Sequence, residues 1–221
     1  MATPAVLVGR PRRFVVAARL GSGEVVEAHL PSTGRLGEIL VAGAELSLHR
    51  AGGTSRKTAF DVFAARHGGE WVCLDARCAA PWVRRAWGEI PGVPVRPLVP
   101  EPRVADGRFD FAIGKDEGYV EVKSSTLLDG ECALFPDAPT ERGRRQVATL
   151  AALAARGVPA FLVFAVLRAS ARAFRVYRQH DGAFADAVEA ARRAGVRIIV
   201  PAFRVGMEDA SYLGLLPYLG T

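Results

Sequence analysis

The succession of apolar runs in this chain predicts a mixed α/β protein of two domains, a small β-barrel over residues 1–79 and an α/β domain over residues 80–221. Three observations lead there. Residues 11–78 hold about five short apolar runs divided by Gly, Pro, Ser and Thr turns. From about Ala80 the order becomes strand, strand, helix, strand, helix, strand, which is that of an α/β sandwich. A chain of 221 residues also fits two small domains more comfortably than one large one.

Residues 14–20 form the first run and lead into the turn Gly21-Ser22-Gly23. Residues 25–30 follow, closed by a Pro/Ser/Thr/Gly turn. Residues 38–41 precede Gly43, residues 45–48 follow it, and residues 58–65 and 70–74 complete an all-β segment. So many strands in so short a span fit a barrel of the OB type. Residues 81–87 are expected as a short helix, with Pro81 tolerated in its first turn. A proline-rich passage from Pro91 to Pro102 separates it from two strands around residues 108–111 and 119–123. Residues 140–156 carry the strongest helical pattern: Val147, Leu150, Leu153 and Ala154 share one stripe, and Gly157 ends it. Residues 160–167 are continuously apolar, the mark of a strand buried on both faces. Residues 183–193 read as a second helix closed by Gly195, and residues 196–200 as a further buried strand. The tail after Ala210 shows no assignable pattern.

The chemistry concentrates on the two strands after the prolines. Asp110 stands mid-strand in Phe109-Asp110-Phe111, where strand propensity disfavours it. Glu121 and Lys123 are two apart and project to one face, while Val120 and Val122 face the other way. If the strands pair, Asp110 joins Glu121. Two carboxylates with an ammonium beside them make a hard, oxygen-rich site suited to Mg²⁺ or Mn²⁺, able to activate water against a phosphodiester. A bland reading fits the same residues: Asp110 on a solvated face beside an arginine, and Lys123 in a cross-strand salt bridge. Lys57, Lys115 and Lys123 are the only lysines of an arginine-rich chain, so Lys123 marks a place where a compact point charge suits. Before the long helix, Asp137 and Thr140 compete for the N-cap. Arg142 and Gln146, four apart, share a helix face. Arg144 and Arg145 read as solvated, or as non-specific phosphate contacts.

The Asp…Glu-x-Lys arrangement resembles the core of the PD-(D/E)XK nuclease superfamily. The run Glu121-Val122-Lys123-Ser124-Ser125-Thr126-Leu127, followed by Phe135-Pro136-Asp137-Ala138-Pro139-Thr140-Glu141-Arg142-Gly143, resembles the signature of the bacterial and archaeal sugar fermentation stimulation protein A family. His29-Leu30-Pro31-Ser32-Thr33-Gly34 resembles that family's His-Cys-Pro-Asn-Thr-Gly box, with Leu30 in place of the cysteine and Ser32 in place of the asparagine. The likeness runs in order from about Arg10 to about Arg204. It implies an OB-like barrel followed by a restriction-endonuclease-like α/β domain. It also implies metal ligation by Asp110, Glu121 and the Val122 carbonyl with Asp137 at the rim, and catalytic roles for Lys123, Arg142 and Gln146. Regulation of sugar metabolism through DNA is the role the family's name implies. Many relatives of the nuclease core carry an acid in the helix before Asp110; here that helix offers Arg84 and Arg85, and Glu89 is the first acid.

The formal charge of +6 and a pI near 9.7 make a polyanion a plausible partner. Nucleic acid, DNA first, is the expected one. Arg12, Arg13, His29, Thr33, Arg56 and Lys57 are the candidate contacts of the barrel, with Arg144 and Arg145 in the second domain. The bland alternatives are a structural His29 and a solvated Arg56-Lys57 turn. Cys73, Cys78 and Cys132 lack metal-type pairing and suit a reducing compartment. No apolar run is long enough to span a bilayer and no signal segment follows Arg10, Arg12 and Arg13. A cytoplasmic protein without membrane contact is expected, and a homodimer is left open. Three functions compete: a metal-dependent nuclease, a DNA-binding regulator that keeps the nuclease fold without turnover, and a nucleotide or RNA-end binding module in which the barrel does the work.

Overall fold

The computed structural model describes residues 1–32, 36–52, 57–104 and 107–221. The chain divides into two compact units. One comprises Met1–Cys78 with Leu167–Ala169 and Arg204–Ser211; the other comprises Ala79–Val166, Ser170–Phe203 and Tyr212–Thr221. The first unit therefore takes in two segments from the part of the sequence read as the second domain.

The first unit is a closed barrel of β1 (Ala2–Arg12), β2 (Val15–Leu20), β3 (Val25–His29), β4 (Glu45–Arg50) and β5 (Phe60–His67). β1 pairs antiparallel with both β2 and β4, and β4 with β5. The parallel pairs Ala28↔Phe60 and His29↔Asp61 between β3 and β5 close the ring. Leu7, Val16, Leu30, Ile39, Leu46 and Leu48 fill it. Strand β1 was not anticipated. Ala5 and Leu7 point inward and Val6 and Val8 outward, but all four are apolar, so no polar alternate marks the period, and Pro4 argues against a central strand. Residues 38–41, expected as a strand, form a turn in which Ile39 N and Leu40 N both donate to the Leu36 carbonyl. Ile39 is buried within that turn, and a short apolar run does not reveal its own period. β6 (Glu70–Cys73) extends the edge of β5.

In the second unit, α1 (Ala79–Ala86) precedes β7 (Leu98–Pro100), which lies inside the proline-rich passage. A small two-stranded hairpin follows, β8 (Arg103–Val104) and β9 (Gly107–Arg108). β10 (Phe111–Ile113) pairs antiparallel with β7 and with β11 (Gly118–Ser125). Beyond them, β12 (Leu127–Asp129) and β13 (Cys132–Phe135) lead to α2 (Glu141–Ala155) and then β14 (Ala160–Val166). β14 runs parallel to β11 over seven register pairs and is buried along its whole length. β15 (Ala173–Val176), α3 (Gly182–Arg193), β16 (Arg197–Ile199), β17 (Pro201–Val205) and β18 (Ala210–Leu215) complete the chain. β16 adds to β14 in parallel, while β12, β13 and β15 form a separate three-stranded sheet. The core of the unit is rich in phenylalanine: Phe164 stacks on Phe174 at 4.5 Å and meets Phe135 and Phe184. Among the described residues no helix is long and apolar enough to cross a membrane.

Candidate active site

β11 places the first two functional side chains. Glu121 and Lys123 share one face, as their spacing requires. Glu121 is 3 % exposed, and its Oε1 accepts a hydrogen bond from Lys123 Nζ at 2.6 Å. The same ammonium donates to Gln146 Oε1 at 2.7 Å. Gln146 Nε2 in turn donates to the Arg108 carbonyl at 3.4 Å. A hydrogen-bonded chain thus runs from hairpin strand β9, through α2, to the carboxylate of β11.

Asp110 is not mid-strand. It occupies the bend leading into β10, and its carbonyl accepts from Glu101 N at 3.0 Å. Because β10 starts one residue later, its ladder with β11 runs no further than Phe111↔Val120. The peptide edge of Val122 is left without a strand partner on that side, and Asp110 Oδ2 accepts from Val122 N at 2.7 Å. In a strand, the N–H and C=O of one residue point to the same edge, so the Val122 carbonyl also faces the Asp110 side.

Burial dominates the electrostatics. It pushes the Glu121 carboxyl up to about 7; Lys123 and Arg142 draw it back, and the Asp110 charge raises it further. Burial likewise raises Asp110, against the Val122 N–H, Lys123 and Arg142. Glu121 Oε2 is buried with no hydrogen-bond partner among the described residues. Among the described residues no three His, Cys, Asp or Glu side chains gather as metal ligands. Asp110 stands near enough for its charge to raise Glu121, and it holds the Val122 N–H.

The start of α2 is held from two sides. Thr140 is its N-cap, its Oγ1 accepting from Gly143 N at 3.1 Å. Asp181 accepts from Thr140 N at 2.8 Å and from Phe184 N at 2.9 Å, so one carboxylate holds the start of α2 and caps α3. A Cβ on Gly143 would meet Thr140 Oγ1 at 2.7 Å and Phe184 at 3.2 Å, so glycine is needed for the two helix starts to approach. This fixed helix start presents Gln146 to Lys123. Arg142, one turn earlier and exposed, acts on both carboxylates through its charge but makes no side-chain hydrogen bond or ion pair among the described residues. Asp137 lies half-buried ahead of the cap and is not part of an acidic cluster with Asp110 and Glu121. Arg144 is half-buried, and Arg145 is exposed and pairs with Glu141 at 3.3 Å.

Arg103, Val104 and Arg108 of the hairpin and Arg142, Arg145 and Gln146 of α2 line an open groove of about 810 Å³. Arg103 and Arg108 escaped sequence reasoning. Their signal is their register as opposite residues of β8 and β9, which appears only once the hairpin is known. In the barrel, Arg12 pairs with Glu27 at 2.7 Å, and Arg13 lies over the Phe14 ring at 5.2 Å. His29 Nδ1 lies 3.2 Å from Asp61, which also binds Arg77. Lys57 is exposed. Thr33 and Arg56 fall outside the described residues.

Residues 8–74 match the family model described as the SfsA N-terminal OB domain, and residues 80–209 match the sugar fermentation stimulation protein RE domain. The chain belongs to the sugar fermentation stimulation protein family. The homolog of Moorella thermoacetica is 40% identical over 204 residues, covering 88% of this chain and 86% of its own. That of Methanothermobacter thermautotrophicus is 37% identical over 199 residues, covering 87% and 82%. A solved structure of Pyrococcus furiosus SfsA in complex with Ca²⁺ aligns with a TM-score of 0.89 at 27% identity, over 99% of this chain and 96% of that one. The family's OB domain is the five-stranded barrel, and its RE domain is the α/β unit that carries Glu121 and Lys123.

Proposed function

We propose that this member of the family is a divalent-metal-dependent phosphodiesterase acting on nucleic acid, with DNA the expected substrate and Mg²⁺ or Mn²⁺ the expected ion. The carrying observation is Glu121: a buried carboxylate with one oxygen on Lys123, the other unpartnered among the described residues, beside Asp110 and the Val122 peptide that Asp110 holds. An unsatisfied buried carboxylate oxygen is costly, and a hard cation would satisfy it. The all-oxygen donor set suits such an ion. The Ca²⁺ of the Pyrococcus furiosus structure, also a hard cation, supports a divalent site here.

Held by Asp110, Glu121 and the Val122 carbonyl, the ion would polarise a phosphoryl oxygen and acidify the attacking water. Lys123 spends two N–H groups on Glu121 and Gln146, leaving a third for that water or a phosphoryl oxygen. Gln146 limits the swing of the ammonium. Arg142 counters the charge that grows on the phosphoryl oxygens. A second reading, a DNA-binding regulator without turnover, draws on one observation: among the described residues no third acid joins Asp110 and Glu121, and Lys123 already neutralises Glu121.

The test is cleavage of labelled single-stranded DNA, duplex DNA and RNA with Mg²⁺, Mn²⁺ or EDTA. Metal-dependent cutting should fall about 10²–10⁴-fold in Lys123→Ala and be abolished in Glu121→Ala. Gln146→Ala should slow single-turnover cutting by roughly 10-fold or more while binding in EDTA holds. No cutting of any substrate, with binding unchanged in EDTA and in these variants, would leave the regulator.

A further inference from the structure

The groove between the β8–β9 hairpin and α2 shows chemistry that the two carboxylates do not require. Arg103 and Arg108 stand directly opposite each other on the hairpin. Like charges in that position destabilise a strand pair. Glu101 meets Arg108 at 3.1 Å, whereas the Arg103 side chain makes no hydrogen bond or ion pair among the described residues. Across the groove, α2 adds Arg142 and Arg145. Four arginines line one cleft; Arg108 and Arg145 are paired with Glu101 and Glu141, while Arg103 and Arg142 make no ion pair among the described residues, so the lining forms a track for a polyanion. Between them the walls are apolar, with Val104 on the hairpin side and the exposed Ala148 on the helix side.

We infer that this groove takes a single nucleic-acid strand: arginines hold successive phosphates, and the apolar walls receive unpaired bases. A duplex turns its phosphates outward and keeps its base faces stacked inside, so it would use the cations and leave the walls empty. The groove shares Gln146 with the hydrogen-bonded chain to Lys123, whose other end is the Arg108 carbonyl. A strand gripped by the hairpin therefore lies beside the catalytic ammonium. As a statement about substrate class the inference rests on the phosphodiesterase reading, but binding alone tests it.

The experiment is fluorescence anisotropy of a short labelled DNA strand and its duplex, in EDTA, with the full chain carrying Glu121→Gln so that nothing is cut. The single strand should bind about tenfold tighter than the duplex. Arg103→Gln should weaken it several-fold and lower the slope of log K against log salt by about 0.7, one phosphate contact on a single strand. Ala148→Asp, a change on an exposed wall, should weaken single-strand binding further than duplex binding. Arg193→Gln on α3, outside the groove, should change neither. Duplex binding as tight as single-strand binding, or single-strand affinity untouched by both groove variants, would overturn the inference. Binding as expected with no cleavage by the wild-type chain in Mg²⁺ or Mn²⁺ would sink the phosphodiesterase alone and leave the groove assignment standing.

Discussion

Glu121 has one carboxylate oxygen on Lys123 and the other without a partner among the described residues, and its carboxyl is pushed from 4.5 up to about 7, chiefly by burial. The folded state then holds a proton that the unfolded chain has released. Stability from this group is full below about pH 4.5 and is lost as pH rises through about 7. In EDTA the thermal midpoint should fall between about pH 5 and pH 8, by a share on the order of 2–3 kcal/mol. Glu121→Gln should flatten that fall, and Mg²⁺ should restore the midpoint at the upper end only. A midpoint that instead rises across the window, or a fall unchanged in Glu121→Gln, would exclude this account. The Glu-x-Lys spacing was legible because a strand repeats every two residues. What eluded sequence reading was the bend at Asp110, which a one-residue difference in where β10 begins decides.

At the scale of elements, the start of α2 sets where Arg142 and Gln146 stand. Alanine usually stabilises a helix over glycine by about 1 kcal/mol. At position 143 the sign should reverse, because the new Cβ would press on Thr140 Oγ1 at 2.7 Å and its methyl at 2.8 Å. Gly143→Ala should cost about 1–3 kcal/mol and Thr140→Ala about 1 kcal/mol in urea unfolding. The double variant should cost less than the sum, since removing Thr140's side chain relieves the crowding. A stabilised Gly143→Ala would refute the packing. Long periodic elements such as α2, α3 and β14 were legible, because a stripe or a continuous apolar run survives errors at its ends. β1, the turn at residues 38–41 and the short strands β7, β8 and β9 were not. Their pattern is brief or apolar on both faces, and pairing partners decide their state.

The whole molecule adds what no local pattern holds: the first unit recruits Leu167–Ala169 and Arg204–Ser211. Arg168 binds Glu70 at 2.7 Å with both side chains largely buried. Ser47 Oγ donates to the Met207 carbonyl, and Val205 pairs with Trp71. A fragment of residues 1–78 loses all three, including one partner of a buried ion pair, a loss of about 3–5 kcal/mol by itself. In circular dichroism melts it should unfold far below the full chain or without cooperativity. A fragment melting at the full chain's temperature would show that the barrel is self-sufficient. Synthesis turns the same arrangement into a matter of timing. At roughly 5–20 residues per second, on the order of ten seconds pass between the ribosome's release of the last barrel strand and of residues 204–211. The barrel strands wait for a segment made more than a hundred residues later, and residues 212–221 of the other unit follow directly behind it. A ribosome that stops at residue 203 releases a chain in which neither unit is whole, so truncated copies reach the cell's proteases unprotected rather than as half-working proteins.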